Sequence, residues 1–432
     1  MSLKPPPFLA PLLAKPVAIL GGGVSGEGVR ALAAALGADA KIYDARAARG
    51  AEFTAVAAQQ HAFVVFSPGF APEHPWLALA RAAGAECMGE MDFASLFWTG
   101  RLVAITGTNG KTTLTEFLTH ALRGIGHDAR ATGNIGDPFS RLVVLTGGGA
   151  KDSYAICEVS SFQAETFRHF RADATLWTNF AEDHLERHPG LEAYFSAKWK
   201  LVEHTDPGAV FIGSSVARHA QKFDRPLATV QALPTENQLS DPHLARTVFA
   251  EYPQRENFLL AAAWWHAEGL DPAALHAAAR TFKLGRHRLT RVADCEGVTY
   301  WNDSKATNFH AVEAALAGFS APVVLIAGGK AKGGDLAGFV HRIAAHVKHI
   351  VLIGETAAEL AFQCATFRAA HTTCATLAEA VRRAAELAAP GEHVLLSPGF
   401  ASFDMFRSYE DRGEQFEQLV RSLPAQTAAS LR

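Results

Sequence analysis

The stretch that most constrains this chain runs from Leu102 to Leu122, where the apolar LVAIT at 102–106 passes through GTNGKTT at 107–113 into LTEFLTHAL at 114–122. An apolar strand-like run, a glycine loop and a helical pattern in that order predict a strand feeding a helix through a phosphate-type loop. A strand of this kind belongs in a mostly parallel sheet with helices over its faces, so the fold class expected is α/β. Glycines let backbone N–H groups converge on phosphate oxygens, and the helix N-terminus adds a favourable dipole. Lys111 supplies a mobile positive charge for the β- and γ-phosphates, and the Thr112 hydroxyl can ligate magnesium. The candidate ATP contacts are therefore Gly107, Thr108, Asn109, Gly110, Lys111, Thr112 and Thr113. The spacing departs from GxxxxGK[ST], because Ile105 stands in place of the first glycine, and a plain strand-to-helix turn is the alternative reading.

The same alternation extends along the chain. VAIL at 17–20, a helix from about Glu27, KIY at 41–43 and FVVF at 63–66 make one α/β unit. LVAIT opens a second, which continues through YAICEV at 154–159 and ATLWTNF at 174–180 to an Ala-rich helix near Asn257. TYWND, VVLIAGG, HIVLIG and HVLLSPG form a third set of strand-like runs that end in polar or glycine-rich turns, where ligands commonly sit in such sheets. A length of 432 residues, at roughly 150 per domain, agrees with three domains, placed at 1–98, 99–285 and 286–432.

Charge and cysteine usage exclude several classes. The 40 basic and 43 acidic residues are intermixed, which gives no nucleic-acid footprint and no basic face for a membrane. The five cysteines include no CxxC pair, so neither a zinc site nor a disulfide scaffold is expected, and a reducing cytoplasm suits them. The start, MSLKPPPFLAPLLAKP, is broken by prolines and reads as a short leader, not a signal peptide. No apolar run approaches the roughly 20 residues that cross a bilayer, so no membrane insertion is expected.

Four further segments can carry chemistry. GGGVSG at 21–26 fits GxGxxG through Gly21, Gly23 and Gly26, with Asp44 ending the next strand and Ser67-Pro68-Gly69 forming a second wall. A diphosphate of the uridine type, a nicotinamide dinucleotide and a purely structural turn all fit that pattern. Glu158 closes YAICEV, and Glu182-Asp183-His184 follows ATLWTNF; carboxylate and imidazole groups there could hold magnesium against phosphates. NDSKATN at 302–308 and SPGFASFD at 397–404, the latter trailed by Tyr409 and DRG at 411–413, are dense polar loops at strand ends, and each alone reads as a solvated turn.

Taken in order, GTNGKTT, GNIG at 133–136, EVSSFQ at 158–163, NDSKATN and SPGFASFDMF with DRGEQF resemble the Mur ligases of peptidoglycan synthesis over nearly the whole chain. The resemblance implies a Rossmann-like N-terminal domain for a UDP-linked substrate, a central P-loop ATPase domain and a Rossmann-like C-terminal domain for an incoming amino acid. It implies that Val24, Ser25, Asp44 and Arg46 contact the UDP part, beside the wall that Ser67 and Gly69 are read to form, and that Asn134 and His184 contact the muramoyl part. Asn257, Arg288 and Asp303 match residues that reach ATP. Lys198, in YFSAKWKL, matches a carbamylated lysine, which together with Thr112, Glu158 and His184 implies a magnesium site; two ions are expected, and Lys200 reads as an exposed helix lysine. Lys305, Thr307, Lys332, Ser402 and Tyr409 fall where the family holds glutamate, and the DNPR signature of the diaminopimelate-adding relative is not found.

The expected reaction is ATP-driven addition of D-glutamate to UDP-N-acetylmuramoyl-L-alanine through an acyl phosphate, by a cytoplasmic monomer, with Lys111, Glu158, His184 and Lys198 as the catalytic set. Addition of L-glutamate and a folylpolyglutamate synthetase-like activity are the alternatives. The sequence departs from the family at Leu289-Thr290, where HRFE is usual, at Ala331 and at Gly399-Phe400.

Overall fold

The structure, a computed structural model, describes residues 3–46, 48–227, 230–232 and 241–423. The strand-forming runs sort into three sheets. The first has β1 (Val17–Leu20), β2 (Ala40–Tyr43), β3 (Phe63–Phe66) and β4 (Glu86–Gly89) in the order β2-β1-β3-β4, all parallel. Every residue of β1 and β3 is buried, which is why VAIL and FVVF are unbroken apolar runs and not alternating ones.

The second sheet has β5 (Arg101–Thr106), β6 (Ala129–Gly133), β7 (Tyr154–Glu158), β8 (Ala174–Trp177), β9 (Val210–Ile212) and β10 (Val230–Ala232), ordered β10-β9-β8-β5-β7-β6 and again parallel. β5 lies between β7 and β8, so the Gly107 loop leaves the sheet at its middle, beside the end of β7 where Glu158 stands.

The third sheet has β11 (Thr290–Cys295), β12 (Val298–Asn302), β13 (Val323–Ala327), β14 (His349–Leu352), β15 (His371–Thr373) and β16 (His393–Leu396), ordered β11-β12-β16-β13-β14-β15. It is parallel except for β11, which pairs antiparallel with β12. Glu296 and Gly297, both at positive φ, make the two-residue turn of that hairpin. Because β12, β16 and β13 are neighbours, the polar loops that follow them leave the sheet side by side.

The chain divides into two compact units: residues 1–180, 192–247 and 256–282, and residues 181–191, 248–255 and 283–432. The first unit holds the first two sheets, with a continuous core in which Val17, Ile19, Phe63 and Val65 join Leu102, Ala104 and Ala155. Helix Glu90–Ser95, just before the expected division at residue 98, fastens them. Glu90 Oε1 accepts from Ser140 N (2.7 Å) and Oγ (2.6 Å), and the Asp92 carboxylate accepts from the backbone N–H groups of Arg168, His169 and Phe170. The third sheet lies in the second unit.

Two local expectations are corrected. The first helix begins at Val24, not near Glu27, because extended Gly23 serves as its N-cap. Lys200 is half-buried, with its ammonium donating to Glu165 O, and is not a free surface lysine.

Candidate active site

In the first unit, the Gly107 loop is held from three sides. Gly107 has φ 149°, and a Cβ there would stand 1.9 Å from Thr178 Oγ1. Gly110 has φ 82° and lies against the buried Asn257, whose Oδ1 would be 2.7 Å from an added Cβ. No other residue fits these two positions without displacing its neighbour. Asn179 completes the cradle: its carbonyl accepts from Thr108 N (3.0 Å), its Oδ1 accepts from Asn109 N (2.9 Å), and its Nδ2 donates to Asn109 O (3.1 Å). The helix Lys111–Gly124 then presents its N-terminal turn.

Around this loop the expected polar groups converge. Lys111 Nζ donates to Gly107 O and Thr108 O, both at 2.9 Å, so the ammonium folds over the loop. Thr112 Oγ1 donates to Glu158 Oε2 (2.7 Å), and Asn134 Nδ2 donates to Glu158 Oε1 (2.9 Å). Lys198 is only 1% exposed; its Nζ donates to Thr106 Oγ1 (3.2 Å) and Gly107 O (3.0 Å), beneath the same loop. Thr113 is buried in the helix. A hydroxyl and a carboxylate in direct contact beside a phosphate-type loop are hard oxygen donors of the kind magnesium takes, so these residues fit that ion. Among the described residues, no group of three or more His, Cys, Asp or Glu side chains is arranged to hold a metal by itself.

The glycine turn of the first sheet is likewise built by its neighbours. Gly26 passes so close to Gly21 that a Cβ would meet its carbonyl oxygen at 1.9 Å. Asp44 Oδ2 accepts from Gly22 N (2.7 Å) and Oδ1 from Arg46 N (2.8 Å); these two amides hold its carboxyl below the usual range. Val24 and Arg46 are exposed, Ser25 and Ser67 half-buried, and Gly69 exposed; Arg49 and Arg141 line the groove along Gly22, Gly23 and Val24.

In the second unit, Asp303 is buried, accepting from Leu289 N (3.1 Å) and from Ser397 Oγ (2.8 Å). Burial pushes its carboxyl up to about 7 despite those bonds and the nearby Arg288 and Arg412 guanidinium groups. Arg288 is half-buried between His287 and Leu289, both at positive φ. The loops after β12 and β16 are tied together by Arg412, 1% exposed, which donates to Ser304 Oγ (2.9 Å), Ser304 O (2.8 Å) and Phe400 O (3.2 Å).

The five expected glutamate-side residues divide into groups. Lys332 Nζ donates to Thr307 Oγ1 (3.5 Å), and both line a small cavity with Asp183, His184 and Asn308. Lys305 instead lies over the Tyr409 ring, 3.8 Å from its centroid, and the buried Ser402 is not among the residues lining that cavity. His184, at φ 56°, belongs to this second unit, whereas Glu158 and Lys198 belong to the first. Its imidazole is held below the ordinary value by burial and by Lys332, with Asp183 and Glu186 acting in the opposite direction. Asp183 and Asn308 stand in motifs legible in the sequence, but nothing in the sequence alone pairs residues 125 positions apart: Asn308 Nδ2 donates to Asp183 Oδ2 (3.0 Å).

A phosphate loop at the centre of a parallel sheet, backed by a carboxylate and a buried lysine, with a separate α/β unit bearing three adjacent polar loops, defines a class of nucleotide-dependent ligases. Residues 105–238 match the Mur ligase middle domain and residues 287–400 match the Mur ligase, glutamate ligase domain. The chain is 37% identical over 383 residues to the UDP-N-acetylmuramoylalanine–D-glutamate ligase of Trichlorobacter lovleyi, covering 83% of this chain and 84% of that one. It is 34% identical over 368 residues to the Aquifex aeolicus enzyme of the same name, covering 83% and 87%. The chain therefore belongs to the Mur ligase family, and within it to the UDP-N-acetylmuramoylalanine–D-glutamate ligases. Among solved structures, the fold is shared with MurC of Thermotoga maritima (TM-score 0.59, 15% identity, 94% of this chain and 99% of that one). It is shared equally with MurF of Acinetobacter baumannii (TM-score 0.59, 16% identity, 83% and 92%).

Proposed function

We propose that this chain joins the amine of D-glutamate to the alanyl carboxylate of UDP-N-acetylmuramoyl-L-alanine, in peptidoglycan precursor synthesis, with conversion of ATP to ADP and phosphate. The observation that carries the reading is the 37% identity over 383 residues to a ligase named for that reaction. A carboxylate is a poor electrophile, so the γ-phosphoryl group first passes to it. The bond from the γ-phosphorus to its bridging oxygen breaks, ADP leaves, and the amine nitrogen then attacks the acyl carbon, expelling phosphate and losing a proton.

The chain's own residues supply position and charge. In this reading Gly107 to Thr113, Asn257, Arg288 and Asp303 hold ATP. Val24, Ser25, Asp44, Arg46, Ser67, Gly69 and Asn134 hold the UDP-linked substrate, with His184. Lys305, Thr307, Lys332, Ser402 and Tyr409 hold glutamate. The contact of Thr112 with Glu158 and the buried position of Lys198 support a magnesium site there, with Lys198 carbamylated and His184 as a further ligand. Magnesium, two ions in this reading, neutralises the negative charge that gathers between phosphates and carboxylate. The three sheets would serve the UDP substrate, ATP and glutamate in chain order, divided at 98 and 285. In this reading the chain acts in the cytoplasm as a monomer; no helix among the described residues is long and apolar enough to cross a membrane.

The test is product formation: incubation with ATP, UDP-N-acetylmuramoyl-L-alanine and isotopically labelled D-glutamate should give a labelled UDP-linked product in equal amount with phosphate. Phosphate without label in that product, or no phosphate, would overturn the reading.

A further inference from the structure

The cavity beside Lys332 is also lined by the carboxylate of Asp183. Asp183 Oδ1 lies 3.9 Å from Lys332 Nζ, an ion pair longer than a direct hydrogen bond, so the two opposite charges stand side by side at the cavity. Each is oriented by other groups. Lys332 donates to Thr307 Oγ1. Asp183 is 8% exposed and accepts from its neighbour His184 N (2.9 Å) and from Asn308 Nδ2 (3.0 Å). Asn308 is itself fixed as the N-cap of helix Phe309–Leu316, its Oδ1 accepting from Ala311 N. Below them, Phe309 stacks on Phe339 and meets Phe400 edge-on, giving an apolar floor.

A fixed cation and a fixed anion facing one cavity match a ligand that carries both signs on one atom. The α-carbon of a free amino acid does so: it bears a carboxylate, which suits Lys332, and an ammonium, which suits Asp183. A dicarboxylate with no amine would satisfy the lysine and be repelled by the aspartate. We propose that Asp183, oriented by Asn308, binds the α-ammonium of the incoming amino acid and selects a zwitterion over a plain dicarboxylate. This rests on the reading of the cavity as the glutamate site. It adds a residue that places the nucleophilic nitrogen and that separates glutamate from the many carboxylic acids of similar length.

The experiment compares the KM for D-glutamate with the inhibition constant of glutarate, which has the same five-carbon chain and both carboxylates but no amine. The wild-type chain should prefer glutamate by roughly ten- to hundredfold, the worth of one charged hydrogen bond. Asp183→Asn should raise the KM for glutamate and bring that preference close to one, because glutarate no longer meets a negative charge. Asn308→Ser, which keeps an N-cap oxygen but removes the amide donor, should move the preference in the same direction by less; it serves where Asp183→Asn does not fold. A preference that survives in the variant, or glutamate and glutarate weakening together, overturns the role of Asp183, and so does a fall in the KM for glutamate, which would mean that Asp183 competes for Lys332. A wild-type chain that releases no phosphate with D-glutamate defeats the underlying reading instead.

Discussion

The Thr112 hydroxyl donates to Glu158 Oε2 over 2.7 Å, joining the first turn of the helix after the phosphate loop to the end of the adjacent strand β7. In the reading proposed above, these two oxygens would help to hold magnesium. Glu158→Gln keeps the shape and removes the charge, so turnover should fall by roughly a hundredfold or more and the magnesium needed for half-maximal rate should rise. Steady-state phosphate release across a magnesium series measures both. Unchanged turnover and magnesium dependence would speak against a metal at Glu158.

Lys198 is buried under the loop, its ammonium bonded to Thr106 and Gly107. If it works as a carbamate, Lys198→Ala should lose most activity and recover part of it when a short-chain carboxylic acid is added, since the acid restores an anion at that place. Lys198→Ala assayed with and without acetate reads this directly. Activity lost with no recovery at any acid concentration would point to a structural lysine.

Much of this architecture was legible because burial leaves a mark on the sequence. VAIL, FVVF and the strand under the phosphate loop are unbroken apolar runs since helices cover both faces of their sheets. The edge strand β11 leaves little trace in the sequence because TRVADC is only partly buried and does not alternate cleanly, although the Glu-Gly turn that pairs it with β12 is a usable signal. The short edge strands β10 and β15 carry too few residues to show a period. In the site, Lys111, Thr112 and Glu158 could be named from motifs, since each closes or follows a strand. The link from Asp183 to Asn308 and the link from Arg412 to Ser304 and Phe400 depend on tertiary folding, so no local pattern reports them.

Arg412 should be costly to remove. Its guanidinium is 1% exposed and donates to one hydroxyl and two carbonyls that belong to different loops. Burial holds its pKa down, to about 10, with Asp404 and Asp303 acting in the opposite direction. Arg412→Ala leaves those acceptors unpaired and opens a cavity, for a loss of about 2–4 kcal/mol in chemical denaturation. A loss below about 0.5 kcal/mol would show that the loops hold their places without it.

Asp303 gives a pH dependence with a definite sign. Its folded pKa, about 7, lies above the ordinary 3.8, so between these values the folded chain binds a proton that the unfolded chain has lost. Stability contributed by this group therefore falls as pH rises from about 4 to about 7, then levels off. Asp303→Asn retains an acceptor for Leu289 N and should flatten that part of the profile. Melting temperatures of both proteins across this range test it; parallel profiles would mean that Asp303 does not titrate there.

The central claim, ligation specific for D-glutamate, is tested most directly by phosphate release from ATP with UDP-N-acetylmuramoyl-L-alanine and, in separate reactions, D-glutamate, L-glutamate or diaminopimelate. The account predicts release with D-glutamate and little with the other two. Release that is equal or greater with L-glutamate or diaminopimelate, or that does not depend on any amino acid, would contradict it.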